Sequence, residues 1–281
     1  MTDSGRWFGR GGSALFLIAA TTLASAAAPP ADSPAVTLRD LPEYRLIVFS
    51  RPTAGREAEF NDWYTHRHVG DLLKVPGVVA GQRFRLALDL SSPAGVPPYL
   101  VIFDYRTRDL GGLASETIRR MQQKVFVPSD SMDYAALASA IYRPLGPMVR
   151  ASAPQPATPV AGKPVRHYVM VVLSNPVAGK EADYNRWYDS QHIPDVLRVP
   201  GFQSAQRFVA IEPVKAPTHA LPGYFVRYEF DSADPAATRD EIMRRIKDGR
   251  TRMSDAFDGA TSITRIYSAM MPVLYAKPYT P

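Results

Sequence analysis

YRLIVFSRPTAGREAEFNDWYTHRHVGDLLKVPGVVAGQRF, residues 44–84, returns later in the chain as YVMVVLSNPVAGKEADYNRWYDSQHIPDVLRVPGFQSAQRF, residues 168–208. The two stretches align without a gap, and 20 of 41 positions are identical. Agreement of that extent at a fixed offset marks an internal duplication. The shared residues are Pro52 and Pro176, Gly55 and Gly179, Asn61 and Asn185, Trp63 and Trp187, Tyr64 and Tyr188, His68 and His192, and Asp71 and Asp195, among others. Val75-Pro76-Gly77 matches Val199-Pro200-Gly201, and Gln82-Arg83-Phe84 matches Gln206-Arg207-Phe208. Beyond them, with one extra residue in the second copy, Tyr99 matches Tyr224, Ile141-Tyr142 matches Ile266-Tyr267, and Pro147 matches Pro272.

Each copy has one order of elements. Tyr44 to Phe49 is a β-branched and aromatic run, hence a strand. Pro52 to Gly55 is a turn, and Arg56 to about His68 carries Phe60, Trp63, Tyr64 and Arg67 at helix spacing. Pro76-Gly77 interrupts the chain before a second strand, Val78 to Leu88. Pro97-Pro98 ends a loop, Tyr99 to Tyr105 is a third strand, Leu110 to about Val125 is a second helix, and a fourth strand lies near Ser139 to Met148. The order βαββαβ is the split-βαβ, ferredoxin-like unit. In the third strand Tyr99, Val101, Phe103 and Tyr105 alternate with Leu100, Ile102 and Asp104; in the second copy Tyr224, Val226, Tyr228 and Phe230 alternate with Phe225, Arg227 and Glu229. Both sets are largely apolar, so both sheet faces are expected to be buried. An α+β fold follows, with two repeats packed sheet to sheet as a barrel inside one chain and the helices outside. A monomer suffices for such a barrel, and higher oligomers remain compatible with it.

The rest of the chain divides around the repeats. Residues 1–26 read as a secretory signal peptide: Arg6 and Arg10, an apolar run from Ala14 to Ala20, then Ala24-Ser25-Ala26 before a cleavage point near Ala26. The apolar run is short for a membrane span, so no stable membrane association is expected after signal removal, and the protein is expected in the periplasm or outside the cell. Residues 27–43 form an N-terminal extension, 44–150 the first repeat, 151–165 a Pro/Ala-rich linker, and 166–281 the second repeat. The full chain has 281 residues, 26 prolines and no cysteine, which excludes disulfides, thiolate metal sites and a cysteine nucleophile. Its formal charge of +6 is interspersed rather than clustered, which argues against a nucleic-acid partner.

The run Asn-x-Trp-Tyr-x-x-x-His-x-x-Asp followed by Val-Pro-Gly resembles the first-helix signature of EthD-like proteins, members of the dimeric α+β barrel superfamily. The resemblance covers both copies. It implies that fold and a small-molecule site, in a superfamily of cofactor-free monooxygenases, polyketide cyclases, lactone isomerases, haem-degrading enzymes and members without known activity. The chain departs from the usual pattern in its tandem fusion, its signal peptide, and Gly70 where Pro194 stands in the second copy.

Five histidines follow the signal segment, His66, His68, His167, His192 and His219, and only His68 and His192 match between copies. Histidine gives and takes protons near neutrality, which makes these two the acid/base candidates. Asp71 and Asp195 follow three residues later and are expected to orient them. Asn61, Tyr64 and His68, and Asn185, Tyr188 and His192, fall on one helix stripe at i, i+3 and i+7. Tyrosine and asparagine are expected to stabilise an oxyanion. Trp63, Trp187, Tyr99, Phe103, Tyr224 and Tyr228 are expected at a substrate pocket between the first helix and the sheet, although tryptophan also serves the core. Arg83 and Arg207 are expected in cross-strand ion pairs with Asp104 and Glu229. No metal set is expected. The function expected is cofactor-independent proton transfer, of isomerase, cyclase or lyase type, on a small hydrophobic oxygenated or aromatic compound. The alternatives are a non-catalytic periplasmic binding protein, and haem-binding or monooxygenase-type oxidation with haem as the cofactor.

Overall fold

The computed structural model describes residues 37–90, 96–211 and 221–277. The signal segment, most of the N-terminal extension and His219 lie outside the described residues. In the first half β1 (Glu43–Ser50) leads through the Gly55 turn into helix α1, which runs Glu57–Trp63, widens into a π-helical turn over Tyr64–His68 and resumes over Val69–Leu72. Strands β2 (Val78–Asp89) and β3 (Tyr99–Arg106), helix α2 (Leu110–Gln122) and strand β4 (Ala138–Pro144) complete the unit. A two-residue strand β5 (Val149–Arg150) follows. The second half repeats this order: β6 (Arg166–Ser174), then α3 as Glu181–Trp187, π turn Tyr188–His192 and Ile193–Val196, then β7 (Phe202–Ala210), β8 (Tyr224–Ser232), α4 (Pro235–Lys247), β9 (Ile263–Ala269) and β10 (Leu274–Tyr275). The first helix of each copy runs past the histidine to Leu72 and Val196, because the π turn takes up the break in α-helical spacing without ending the helix. Helix α2 is capped by Asp109, whose Oδ1 accepts from Gly112 N at 2.7 Å, and α4 by Asp234 with Pro235 at its first position.

All strands belong to one sheet, in which β2-β3-β1-β4-β7-β8-β6-β9 is closed by the pairing of β9 with β2. The two four-stranded halves meet edge to edge, Tyr142 opposite Ala210 at one seam and Phe84 opposite Ala269 at the other. The tail strands cross over, β5 onto β7 and β10 onto β2, so each copy ends against the sheet of the other. Closure removes the exposed edges that an isolated ferredoxin-like sheet keeps.

The alternation in β3 and β8 separates two kinds of core. Leu100, Ile102 and Phe225 point into the barrel with Ile47, Phe49, Tyr142, Phe208 and Tyr267. Tyr99, Val101, Phe103 and Tyr105 face α1 and α2 with Phe60 and Tyr64, and the second copy builds its equivalent from Tyr224, Val226, Tyr228, Tyr184 and Tyr188. The linker is not free of the fold: Gln155 O accepts from Gly201 N at 2.9 Å, and Ala151 N donates to Gln203 O at 2.8 Å.

Candidate functional site

The π turn sets the geometry of each site. It brings residues five apart onto one side, so Trp63 stacks on His68 with ring centroids 4.5 Å apart, and Trp187 lies 4.4 Å from His192. The indole Nε1 atoms donate to Val127 O and Arg252 O, which ties each first helix to the segment after the second helix of its copy. Tyr64 meets the His68 ring edge-on at 4.8 Å, and Tyr188 meets His192 at 5.1 Å. The stripe expected from α-helical spacing therefore splits: the histidine joins the tryptophan, and the asparagine turns to a different partner.

That partner is an arginine from the sheet. Arg83 points from β2 toward α1 and is 1% exposed. Its Nη1 donates to Asn61 O at 3.2 Å and to Thr65 Oγ1 at 2.5 Å, and its Nη2 donates to Asn61 Oδ1 at 3.0 Å. Asn61 Nδ2 donates to the Tyr99 hydroxyl at 3.2 Å, and that hydroxyl donates to Glu57 at the exposed start of the helix. The second copy builds the same chain. Arg207 reaches Asn185 O and Oδ1 at 3.3 and 2.5 Å, Asn185 reaches the Tyr224 hydroxyl at 3.3 Å, and Tyr224 donates to Glu181. The guanidinium carbons stand 4.4 and 4.8 Å from the ring centroids of Tyr64 and Tyr188, a cation–π contact. A buried guanidinium, a carboxamide, a phenol and a solvent-facing carboxylate thus run in line twice.

Burial sets the electrostatics. Desolvation holds Arg83 below its ordinary pKa, with Tyr64 and Tyr99 opposing the shift. It also raises Tyr99 and Tyr224, and Glu57 and Glu181 push the same way as acceptors of their protons, so both phenols are protonated at neutral pH. His68 is buried and pushed down to about 4, mainly by desolvation, with Asp71 opposing and Arg83 adding to the shift. His192 is pushed down to about 4 by burial as well, against a backbone interaction with Arg252, and its Nδ1 is sealed from solvent with no partner.

Several expectations need correction. Arg83 does not pair with Asp104, nor Arg207 with Glu229. Arg83 lies opposite Val101 and shares its helix-facing side, whereas Asp104 sits on the other side of the pleat and pairs with Arg45 at 3.0 Å. Arg207 lies opposite Val226 and pairs with Asp189 at 2.7 Å, while Glu229 accepts from His167 at 2.7 Å. Asp71 and Asp195 do not orient the histidines. Asp71 accepts from Lys74 at 2.8 Å and Asp195 from Arg198 at 2.7 Å, because residues three apart on a helix face each other. Tyr64 and Tyr188 are sealed in the helix–sheet core, and burial raises both phenol pKa values. Phe103 and Tyr228 are fully buried and fill that core instead of lining an opening. Trp63 and Trp187 pack against the cores. Asn61 meets Tyr99 in the first copy and Asn185 meets Tyr224 in the second, each through a single hydrogen bond. The exposed His66 binds Asp62 at 2.9 Å on the outside of the helix.

Glu57 and Glu181 join the two chains without having been expected there. They are identical between the copies, and their place in the first helical turn pointed to a role at the helix start rather than to the strand tyrosines 42 and 43 residues away. The arginines were visible in the repeat, but the side of the sheet on which they lie was decided by register.

No protein-family model and no curated protein matches this sequence. Among solved structures, an anthrone oxidase-like protein is similar with a TM-score of 0.52 and 14% identity, over 86% of this chain and 96% of that chain. A proposed monooxygenase from Fusobacterium nucleatum subsp. nucleatum follows at a TM-score of 0.46 and 10% identity, over 84% of this chain and 95% of the other. A variant of chlorite dismutase from Candidatus Nitrospira defluvii has a TM-score of 0.46 and 11% identity, over 82% and 92%. Identities this low speak for fold and not for activity. The chain has the dimeric α+β barrel fold, with both ferredoxin-like halves in one polypeptide.

Proposed function

We propose that this protein is an enzyme that moves a proton on a small, largely apolar, oxygenated compound without a cofactor, and that it works outside the cytoplasm. The observation that carries the proposal is the twofold construction of one chain, Glu57–Tyr99–Asn61–Arg83 and Glu181–Tyr224–Asn185–Arg207. The imidazoles stack on the tryptophan rings and make no contact with the hydrogen-bonded chain that ends on the exposed carboxylates. The working groups are therefore placed in the chain. Glu57 and Glu181 take up a proton, Tyr99 and Tyr224 relay it, and the arginine, held by its asparagine, supplies positive potential for a developing enolate oxygen. The histidines and tryptophans hold the π turn that aims the asparagine. Two sequence readings support the setting: the EthD-like helix motif and the basic, apolar, small-residue order of residues 1–26.

The test uses a panel of enolisable aromatic ketones that includes anthrone, chosen because the similar solved structure is of an anthrone oxidase-like protein. Loss of the acidic C–H signal in deuterated buffer is followed by NMR. Accelerated exchange is expected, falling at least ~100-fold in the Tyr99→Phe/Tyr224→Phe double variant. Exchange at the protein-free rate across the panel defeats the proposal. Oxygen uptake with quinone formation moves the reading to oxidation. Ligand retained through purification without turnover moves it to a binding protein. A Soret band on adding haem is not expected, because His68 would have to leave the rings of Trp63 and Tyr64 to reach an iron.

A further inference from the structure

The linker roofs a cavity to which neither hydrogen-bonded chain contributes a residue. The cavity measures about 610 Å³ and lies between Val160 of the linker, Val199 and Pro200 of the turn after α3, and the side of α4 that carries Ala237, Glu241 and Arg245. That volume is in the range of small-molecule pockets. The roof is fastened at both ends. Gln155 O accepts from Gly201 N at 2.9 Å, Lys163 Nζ donates to Asp234 Oδ2 at 2.5 Å, and Lys163 N donates to Val160 O at 3.1 Å across the Gly162 turn. Arg245 is the group left unfinished inside. Its counterpart in copy one, Arg120, donates through Nε to Glu116 at 2.6 Å and through Nη1 to Lys74 O at 2.9 Å. Arg245 keeps the first contact, Nε to Glu241 at 2.6 Å, and lacks the second. Its side chain is only 13% exposed, yet among the described residues nothing accepts from its Nη1 or Nη2. Glu241 does not balance its charge alone, since it also pairs with Arg244 and lies 3.9 Å from Arg250. Asp248 takes Arg250 at 2.7 Å and Arg244 at 3.8 Å. Three guanidiniums thus share two carboxylates, while Asp234 and Asp240 are taken by Lys163 and Arg239. This end of the cavity keeps one positive charge in excess.

We propose that this cavity binds a small apolar monocarboxylate, whose two oxygens accept from Arg245 Nη1 and Nη2 and whose body lies against Val160, Val199, Pro200 and Ala237. The two terminal nitrogens of a guanidinium present parallel N–H groups at the spacing of a carboxylate, so one ligand group satisfies both. A single excess charge selects a single negative charge. The apolar walls give the remainder of the molecule a place out of water. Access is open, because Arg244 and Arg250, which also border the cavity, have side chains 60% and 43% exposed. The site is a product of the fusion, since the segment that joins the two repeats supplies its roof. It stands apart from the proton-transfer reading and shares no residue with it.

Calorimetric titration of the full chain with naphthalene-2-carboxylate tests it, with naphthalene-2-carboxamide as the uncharged control. One equivalent of the carboxylate is expected to bind, at least about tenfold more tightly than the amide. Arg245→Met is expected to weaken binding by at least about tenfold through loss of the paired donors. Val160→Trp fills the cavity from the linker side, leaves every charge in place, and is expected to weaken it as much. Melting curves that match the natural chain check that both variants fold, and the linker substitution alone decides if Arg245→Met does not. No uptake of the carboxylate, equal binding of the amide, or binding undiminished in Val160→Trp or in a folded Arg245→Met each overturns the inference.

Discussion

At His68 the identity of the residue suggested acid/base chemistry and its surroundings withdraw it. An imidazole that stacks on Trp63 and is cut off from water holds its proton only near pH 4, whereas in the unfolded chain it does so near 6.5. The sign of the linkage follows. Above pH 6.5 both states are neutral and this group adds no pH dependence. As pH falls from 6.5 toward 4 the unfolded chain binds a proton that the folded chain refuses, so stability drops, by about 2–3 kcal/mol at pH 4.5 for His68. His192 adds in the same direction. Urea denaturation of the natural chain and of His68→Leu at pH 7 and pH 4.5 is expected to show a smaller loss in the variant, and an equal loss in both would remove the burial argument. In the ketone assay at pH 7 the His68→Leu/His192→Leu double variant is expected to keep most of its exchange activity. These residues were visible in the repeat as a pair. Their neutrality was not, because it depends on which rings the tertiary fold lays against them.

The first helix of each copy shows how one local irregularity organises a site. An unbroken α-helix would leave Trp63 and His68 on different sides; the π turn stacks them and lets Arg83 reach Asn61 and Thr65. The Val-Pro-Gly turn that follows is as constrained. Gly77 and Gly201 have φ of +92° and +90°, and a Cβ on Gly201 would stand 2.1 Å from Asp231 O. The backbone cannot give there, since Gly201 O accepts from Asp231 N at 2.9 Å. Gly201→Ala is expected to cost roughly 3 kcal/mol or more in a urea melt. Gly55→Ala, whose Cβ meets nothing within 4 Å, is expected to cost only about 1 kcal/mol from its positive φ. Equal losses would show that strain alone, without the contact, sets the cost. Both turns were legible as turns from Pro and Gly. The helix irregularity was not, because no residue type signals a π turn.

The barrel holds as one unit because its seams are made of buried contacts between the halves. Tyr142 of the first half is fully buried and donates to Pro222 O of the second at 2.8 Å, and Arg265 of the second donates to Val96 O of the first at 2.6 Å. With β5 and β10 each laid on the opposite half, the linker is not what keeps the halves together. A protease site placed between Ala161 and Gly162 is expected to yield two fragments that elute together by size exclusion and part only in denaturant. Separate elution in native buffer would assign the stability to the linker. Alternation in β3 and β8 announced two buried faces, and the duplication announced the two halves. The fold was therefore readable almost entirely from the order of elements and the period of apolar residues.

What the sequence determined by itself is local or periodic: strands, helix starts, turns, the repeat, and the demand that each sheet be covered on both sides. Those properties depend on neighbours along the chain and on the fixed periods of strand and helix. Tertiary structure alone decided which face of the sheet each arginine occupies, which carboxylates meet the strand tyrosines, and that one guanidinium has an aspartate where the other has a threonine. A single residue of strand register moves a side chain from one face to the other, and desolvation depends on everything packed around a group. The chemistry assigned to Arg83, Glu57 and Tyr99 comes from packing for that reason, while the two-lobed barrel that holds them comes from pattern.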